Sequence, residues 1–190
     1  MTDREEELFH PATLGEWSAW LAAHHDRGLG VWVVGWRRTS GREVLEYEDL
    51  VLEALCWGWV DSRSKGLDAE RSMLWFAPRS PRSTWVRSNR DRIARLEAEG
   101  RLQPPGRAAV EAARANGMWD LLLDAEAGVV PPRLDAELDV VPGARAGWAA
   151  LSDAARTRSL TELALARTDA TRARRIATIV EACAAGRRPF

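Results

Sequence analysis

Lysine, tyrosine, histidine and cysteine are all scarce in this chain. Of its 27 Lys and Arg residues, Lys65 is the single lysine and 26 are arginine; there are 3 His, 2 Cys and 1 Tyr among 190 residues. Cys56 and Cys183 lie far apart and form neither a disulfide framework nor a zinc-ligand set. The adjacent His24 and His25 point two ways on a predicted helix. No Asp, Glu or Cys set completes a site with them or with His10, so neither a metal nor another cofactor is expected. There is no run of about 18 or more apolar residues, which excludes a membrane-spanning helix. The opening MTDREEELFH is acidic and lacks an apolar segment, so no signal peptide is read there and a cytoplasmic location is expected. A net charge of -1 supplies no global field toward nucleic acid or an anionic membrane. Arginine in such excess over lysine reads as a coding bias for GC-rich codons, not as a binding surface.

Tryptophan, by contrast, is plentiful. Four of the 10 fall between Cys56 and Asn89, in CWGWVDSRSKGLDAERSMLWFAPRSPRSTWVRSN. Two strands are predicted here, Gly58 to Ser62 and Ser72 to Arg79, joined by the polar connection Arg63 to Arg71. Side chains alternate along a strand. That alternation gathers Trp59, Asp61, Trp75 and Arg79 on one face of the hairpin, opposite a plainly apolar one. A helix follows, with Ser83 as N-cap, Gly100 past its end and the stripe Val86, Asn89, Ile93, Leu96 facing inward. Asn89 stands where a leucine is expected. A buried amide without partners costs roughly 1–3 kcal/mol. Asn89 therefore needs backbone, Asp61, Arg79 or a ligand.

The remaining elements follow from period and punctuation. Thr13 caps a helix running to Arg27; Val31 to Arg38 is a strand; Thr39-Ser40-Gly41 turns, and Arg42 to Leu45 returns as a short strand. Tyr47 to Trp57 is helical. Beyond Pro104 the strand signals vanish. Helices are predicted over Pro105 to Asn116, Pro132 to Asp139, Ala144 to Leu151, from Ser152 onward, and from Thr168 or Asp169 to Gly186. Ser159-Leu-Thr-Glu162 fits a capping box. The last helix carries Arg172, Arg174 and Arg175 in its first half, against the helix dipole, which suits binding something negative such as carboxylates elsewhere in the protein. The fold class is α+β: a small antiparallel sheet with packed helices over 1–102, then an all-helical module over 103–190 packed on it.

Three motifs have bland readings. Ser62-Arg-Ser-Lys65 fits the S-x-x-K of penicillin-recognising enzymes, but it sits at a strand end without S-D-N or K-T-G, and reads as chance. Cys56 lies between Leu55 and Trp57 and reads as a buried, inert thiol. The Arg face of the Asn89 helix reads as solvated surface. Asp61, Arg79 and Asn89 form either a buried network fixing sheet to helix or the polar part of a pocket walled by Trp57, Trp59, Trp75 and Trp85.

These residues resemble the YdeI/OmpD-associated family, also described as bacteriocin-protection proteins. The resemblance is carried by Ala54-Leu-Cys-Trp-Gly-Trp-Val-Asp61, Ala77-Pro-Arg79, Ser83-x-Trp85-x-x-x-Asn89, Val130-Pro-Pro132 and Thr171-Arg-Ala-Arg-Arg-Ile176. It covers nearly the whole chain. It implies a front half like YdhG-like proteins, with a curved antiparallel sheet and helices on one side, and a helical back half. It also implies a part in tolerance of cationic antimicrobial peptides. The chain departs from the family in lacking an acidic surface and an export signal, and the family brings no catalytic residues to carry over.

Two functions are compatible with the same residues. One is a small-molecule-binding protein: Arg79 meets an anionic or carbonyl group, Asp61 a donor, Asn89 fixes orientation, and protection comes by sequestration. The other is an enzyme with Asp61 as general base and Arg79 as electrostatic stabiliser. A third reading is an interaction module whose helical half docks a partner. Neither a nucleic acid nor a membrane is expected as partner.

Overall fold

A computed structural model of the chain describes residues 7–190. The chain divides into two compact units: one runs to Ser83 and takes in Ser88–Met118, the other comprises Thr84–Arg87 and Trp119–Phe190.

The first unit is a four-stranded sheet with helices. In chain order it holds β1 (Leu8–Phe9), α1 (Leu14–His24), β2 (Val31–Trp36), a short 3-10 turn (Arg38–Ser40), α2 (Tyr47–Cys56), β3 (Trp59–Gly66), β4 (Arg71–Pro78), α3 (Arg87–Ala98, whose first residue counts with the second unit) and α4 (Pro104–Ala115). The strand order is β1-β2-β4-β3. Among these pairs β1–β2 is parallel while β2–β4 and β3–β4 are antiparallel, so the sheet is mixed where an antiparallel one is expected from sequence. Thr13 caps α1 as predicted, its hydroxyl accepting from the Glu16 N–H. Residues 42–45 form no strand; Val44 and Leu45 stay half-buried in an irregular segment. Strand β3 runs four residues past the predicted end. A bulge between Asp61 and Ser64 absorbs the extra chain. The turn after it is closed by Asp68, whose carboxylate accepts from the Glu70 and Arg71 N–H groups at 2.9 and 2.7 Å.

Register decides which residues share a face. Residues directly opposite one another in an antiparallel ladder project to the same side. Val31 pairs with Phe76 and Val33 with Leu74; Asp61 pairs with Phe76 and Trp59 with Pro78. One face therefore carries Val31, Val33, Leu74, Phe76, Trp59 and Asp61. Helices α1 and α2 lie on it: the Trp17 ring is 5.2 Å from Phe76, and Trp17 Nε1 donates to Leu50 O at 3.1 Å. Trp17, Leu21, Trp59 and Phe76 are all fully buried there. The opposite face carries Trp32, Val34, Met73 and Trp75. The Arg63 guanidinium lies 5.0 Å from the Trp32 ring and 4.7 Å from Trp75, and Lys65 Nζ lies 4.4 Å from Trp32.

The second unit is helical among its described residues: α5 (Leu123–Glu126), α6 (Pro132–Val140), α7 (Ala144–Ala150), α8 (Asp153–Ala164) and α9 (Asp169–Ala184). Its core joins Leu134, Leu138, Trp148, Leu160, Leu163 and Ile179. The cap of α8 is Ser152, accepting from the Ala155 N–H, not Ser159. Ser159 is fully buried inside that helix, and its hydroxyl donates to Ala155 O at 2.8 Å. Thr168 caps α9. Ser83 caps nothing: α3 starts at Arg87, whose N–H donates to the Glu126 carboxylate at 2.8 Å. Among the described residues, no helix is long and apolar enough to cross a membrane, and no cluster of three or more His, Cys, Asp or Glu is placed to hold a metal.

Candidate functional site

The predicted aromatic wall does not assemble. Trp59 is a core residue: its Nε1 donates to His25 O at 3.0 Å and its ring meets Trp20 edge-on at 5.6 Å. Trp75 projects from the other face of the sheet, because it pairs with Trp32 while Asp61 pairs with its neighbour Phe76. Its ring lies where a Cβ on Gly30 would be, 2.4 Å from that position. Trp85 belongs to the second unit, buried with its ring 5.0 Å from Trp119. Trp57 ends α2 half-buried, beside His25 at 5.2 Å, with its Nε1 buried and lacking a hydrogen-bond partner among the described residues. The shared face expected for Trp59, Asp61, Trp75 and Arg79 thus fails on register: the pairing across β3 and β4 sets the two indoles on opposite sides.

The polar residues fare differently. Asp61 and Asn89 each bond to one of three residues that the sequence did not single out, while Arg79 feels the Asp61 charge directly. The first is Tyr47, at the start of α2, whose hydroxyl donates to Asp61 Oδ2 at 2.8 Å. The second and third are Glu48 and Arg92. Arg92 donates to both Glu48 oxygens, from Nε at 2.9 Å and from Nη2 at 2.6 Å, and from Nη1 to Asn89 Oδ1 at 2.9 Å. This fork explains the amide in the apolar stripe of α3: Asn89 receives the third arm of a guanidinium already clamped on a carboxylate. The Arg92 guanidinium also stands 5.9 Å from the Tyr47 ring.

Charge follows from this geometry. Arg92 bonds hold the Glu48 carboxyl below its usual range, and Glu48 in return raises Arg92. Burial first, then the Asp61 hydrogen bond and charge, push Tyr47 up. Burial pushes Arg79 down to about 10, with the Asp61 carboxylate opposing the shift. Arg79 stays a cation at neutral pH, held near an acid in a half-buried place.

Beside Tyr47 the sheet is open. A cavity of about 370 Å³ lies on the Asp61 face, floored by Val33, Gly35, Ser64, Ser72 and Leu74 and bounded by Tyr47 and Leu50 of α2. The 37–46 segment closes it with Arg38, Val44 and Leu45, and Arg38 is fixed by an ion pair to Glu46 at 2.6 Å. Gly35 makes the space: a Cβ there would meet nothing within 4 Å. The Ser64 and Ser72 hydroxyls make no hydrogen bond among the described residues. A second cavity of about 360 Å³ shares Gly35, Trp36 and Leu45 and extends past His10, Arg42 and Glu43. Trp36 stands between the two, with Arg42 and Arg71 guanidinium groups 4.8 and 5.8 Å from its ring.

Comparison with known proteins also divides the chain in two. Residues 9–109 match a domain of unknown function (DUF8412). The chain belongs to that family. Residues 127–186 match the family described as bacteriocin-protection, YdeI or OmpD-associated, which bears out the resemblance read from Val130-Pro-Pro132 and Thr171 to Ile176. No match supports a YdhG-like front half; the DUF8412 match stands in that place. No curated protein and no solved structure matches the chain.

In this DUF8412 member, then, the Tyr47–Asp61 bond ties the α2 N-terminal turn to the sheet, and the Glu48–Arg92–Asn89 fork ties it to α3. Sequence reasoning missed Tyr47, Glu48 and Arg92, and missed Gly35 as the residue that opens the floor. One signal for Tyr47 was available: it is the single tyrosine, at the first position of a predicted helix.

Proposed function

We propose that this DUF8412 member is a ligand-binding protein acting in antimicrobial protection, and that its first unit holds a small polar, aromatic molecule over Gly35. The observation that carries this reading is the cavity itself: open above Gly35, with two unbonded serine hydroxyls on its floor and Tyr47 at its wall. Apolar walls with a few convergent polar groups are the usual make-up of a small-molecule site. The Trp36 ring offers a stacking surface, Arg38 offers donors, and the Tyr47 oxygen, its proton given to Asp61, offers an acceptor. Asp61 acts at one remove, by fixing the Tyr47 hydroxyl. The bacteriocin-protection match of residues 127–186 supports sequestration of a harmful compound as the outcome of binding.

A titration of the full chain with a panel of aromatic metabolites and antibiotics tests this. The expected result is quenching of tryptophan emission and a raised melting temperature for at least one compound, both lost in Gly35→Leu. A panel that moves neither signal, or a hit that binds Gly35→Leu as it binds the parent, removes the site.

A further inference from the structure

The second unit carries a different cavity. It is about 320 Å³ in volume and lies among α5, α6, α8 and α9. Its walls are apolar: Leu121, Ala125, Leu160, Leu163 and Ile176, with Val129 half exposed at the rim. Three charged residues border it, Asp124, Arg133 and Arg172. Arg133 makes no hydrogen bond or ion pair among the described residues. Arg172 is loosely held, donating to Ala166 O at 3.4 Å and standing 3.5 Å from Asp169. Both arginines sit in the first turn of a helix, α6 and α9, where the helix dipole disfavours a cation. An apolar chamber bordered by two cations and one carboxylate has a net positive mouth.

We propose that this cavity is a binding site for a small amphipathic carboxylate. The hydrocarbon part fills the space between Leu160, Leu163 and Ile176. The carboxylate sits at the mouth and takes hydrogen bonds from Arg133 and Arg172, whose planar donors suit it. Asp124 weakens the site by like charge. The volume is at the small end of the range for ligand pockets, roughly 300–1,000 Å³. A chain of about eight carbons fits that size better than a long acyl chain. This site is independent of the one over Gly35.

Calorimetric titration of the full chain with octanoate, octanol and octylamine tests it. Octanoate is expected to bind about tenfold or more tightly than either of the others, since hydrogen bonds to charged groups are worth that much. Replacing both arginines, Arg133→Gln with Arg172→Gln, is expected to abolish that preference. Asp124→Asn is expected to strengthen octanoate binding, and Gly35→Leu to leave it unchanged. The Ile176 methyl resonance is expected to shift on titration, which places the ligand. Equal binding of all three probes, an undiminished preference in the double arginine variant, or no octanoate binding at millimolar concentration would each overturn the proposal. Because both arginines are surface residues, the double variant is expected to fold, and its melting curve verifies that.

Discussion

Tyr47 donates its hydroxyl to Asp61 across 2.8 Å, joining the first turn of α2 to the edge strand β3. Tyr47 is the chain's 1 tyrosine, so its ionisation is directly visible in the ultraviolet difference spectrum. Its pKa is raised above the ordinary phenol value, by burial first and then by the Asp61 hydrogen bond and charge. A folded-state pKa above the unfolded one means that the folded chain keeps this proton longer. The stability it brings is complete below the unfolded pKa and is lost as pH climbs through the folded one. We expect a titration midpoint higher in the folded chain than in urea, and a lower folded midpoint in Asp61→Asn. An identical midpoint in that variant would mean that burial alone sets the shift.

Arg92 ties Asn89 to Glu48, and the consequences of losing it are unequal. Glu48 is 46% exposed at its side chain and rehydrates, so its half of the bond is worth little. Asn89 is 9% exposed and loses the donor to its Oδ1. Arg92→Ala is therefore expected to cost about 1–3 kcal/mol in urea unfolding. Asn89→Leu in the Arg92→Ala background should recover part of that, because it removes the orphaned amide. A cost below about 0.5 kcal/mol for Arg92→Ala would show that the amide is satisfied by water instead.

Much of the fold was legible because it rests on local signals. Thr13 and Thr168 are capping residues, Pro104 and Pro132 start helices, and β2 follows from its alternating valines and tryptophans. What failed was non-local. Ser83 and Ser159 have capping chemistry, but a cap is chosen by where the helix packs, and a side chain at Glu126 and a hydroxyl at Ser152 took those roles. The face shared by Trp59 and Trp75 depended on the register between β3 and β4, which shifts by one residue without any change in either strand's pattern. Asn89 was readable as an anomaly, and its partner was not. Arg92 is one of many arginines, and nothing in the sequence distinguishes the one that reaches back by three residues to a buried amide.

Gly147 is where α7 and α9 of the second unit touch. A Cβ at that position would lie 1.9 Å from Cys183 O and 2.6 Å from its carbonyl carbon, both backbone atoms that cannot swing aside. Gly147→Ala must push the two helices apart, and we expect a loss at or above the upper end of the overpacking range, about 1–3 kcal/mol. Gly35→Ala is the contrasting case. Nothing lies within 4 Å of its added methyl, and its φ is not in the left-handed region. That substitution is expected to be neutral or to stabilise by about 0.4–1 kcal/mol, by restricting the unfolded chain. Equal losses for both in denaturant melts would refute the account of either glycine.

The two cysteines make the core accessible to chemistry. Cys56 is 2% exposed and Cys183 1% exposed, one in each unit. Burial pushes the Cys56 thiol up to about 11, helped by the Glu53 charge and opposed by Arg101. At pH 8 that leaves roughly one thiolate in a thousand, and the thiolate is the reactive form. Modification by an aromatic disulfide reagent should therefore wait for each unit to open, and its rate should report the free energy of that opening. In the folded chain at pH 8 we expect both thiols to react far more slowly than free cysteine, and both to react at once in denaturant. Cys183 provides the clock for the second unit, so Gly147→Ala should speed its modification while leaving Cys56 slow. Rapid labelling of Cys56 in the parent chain would contradict its burial, and parallel acceleration of both thiols in Gly147→Ala would mean that the units do not open separately.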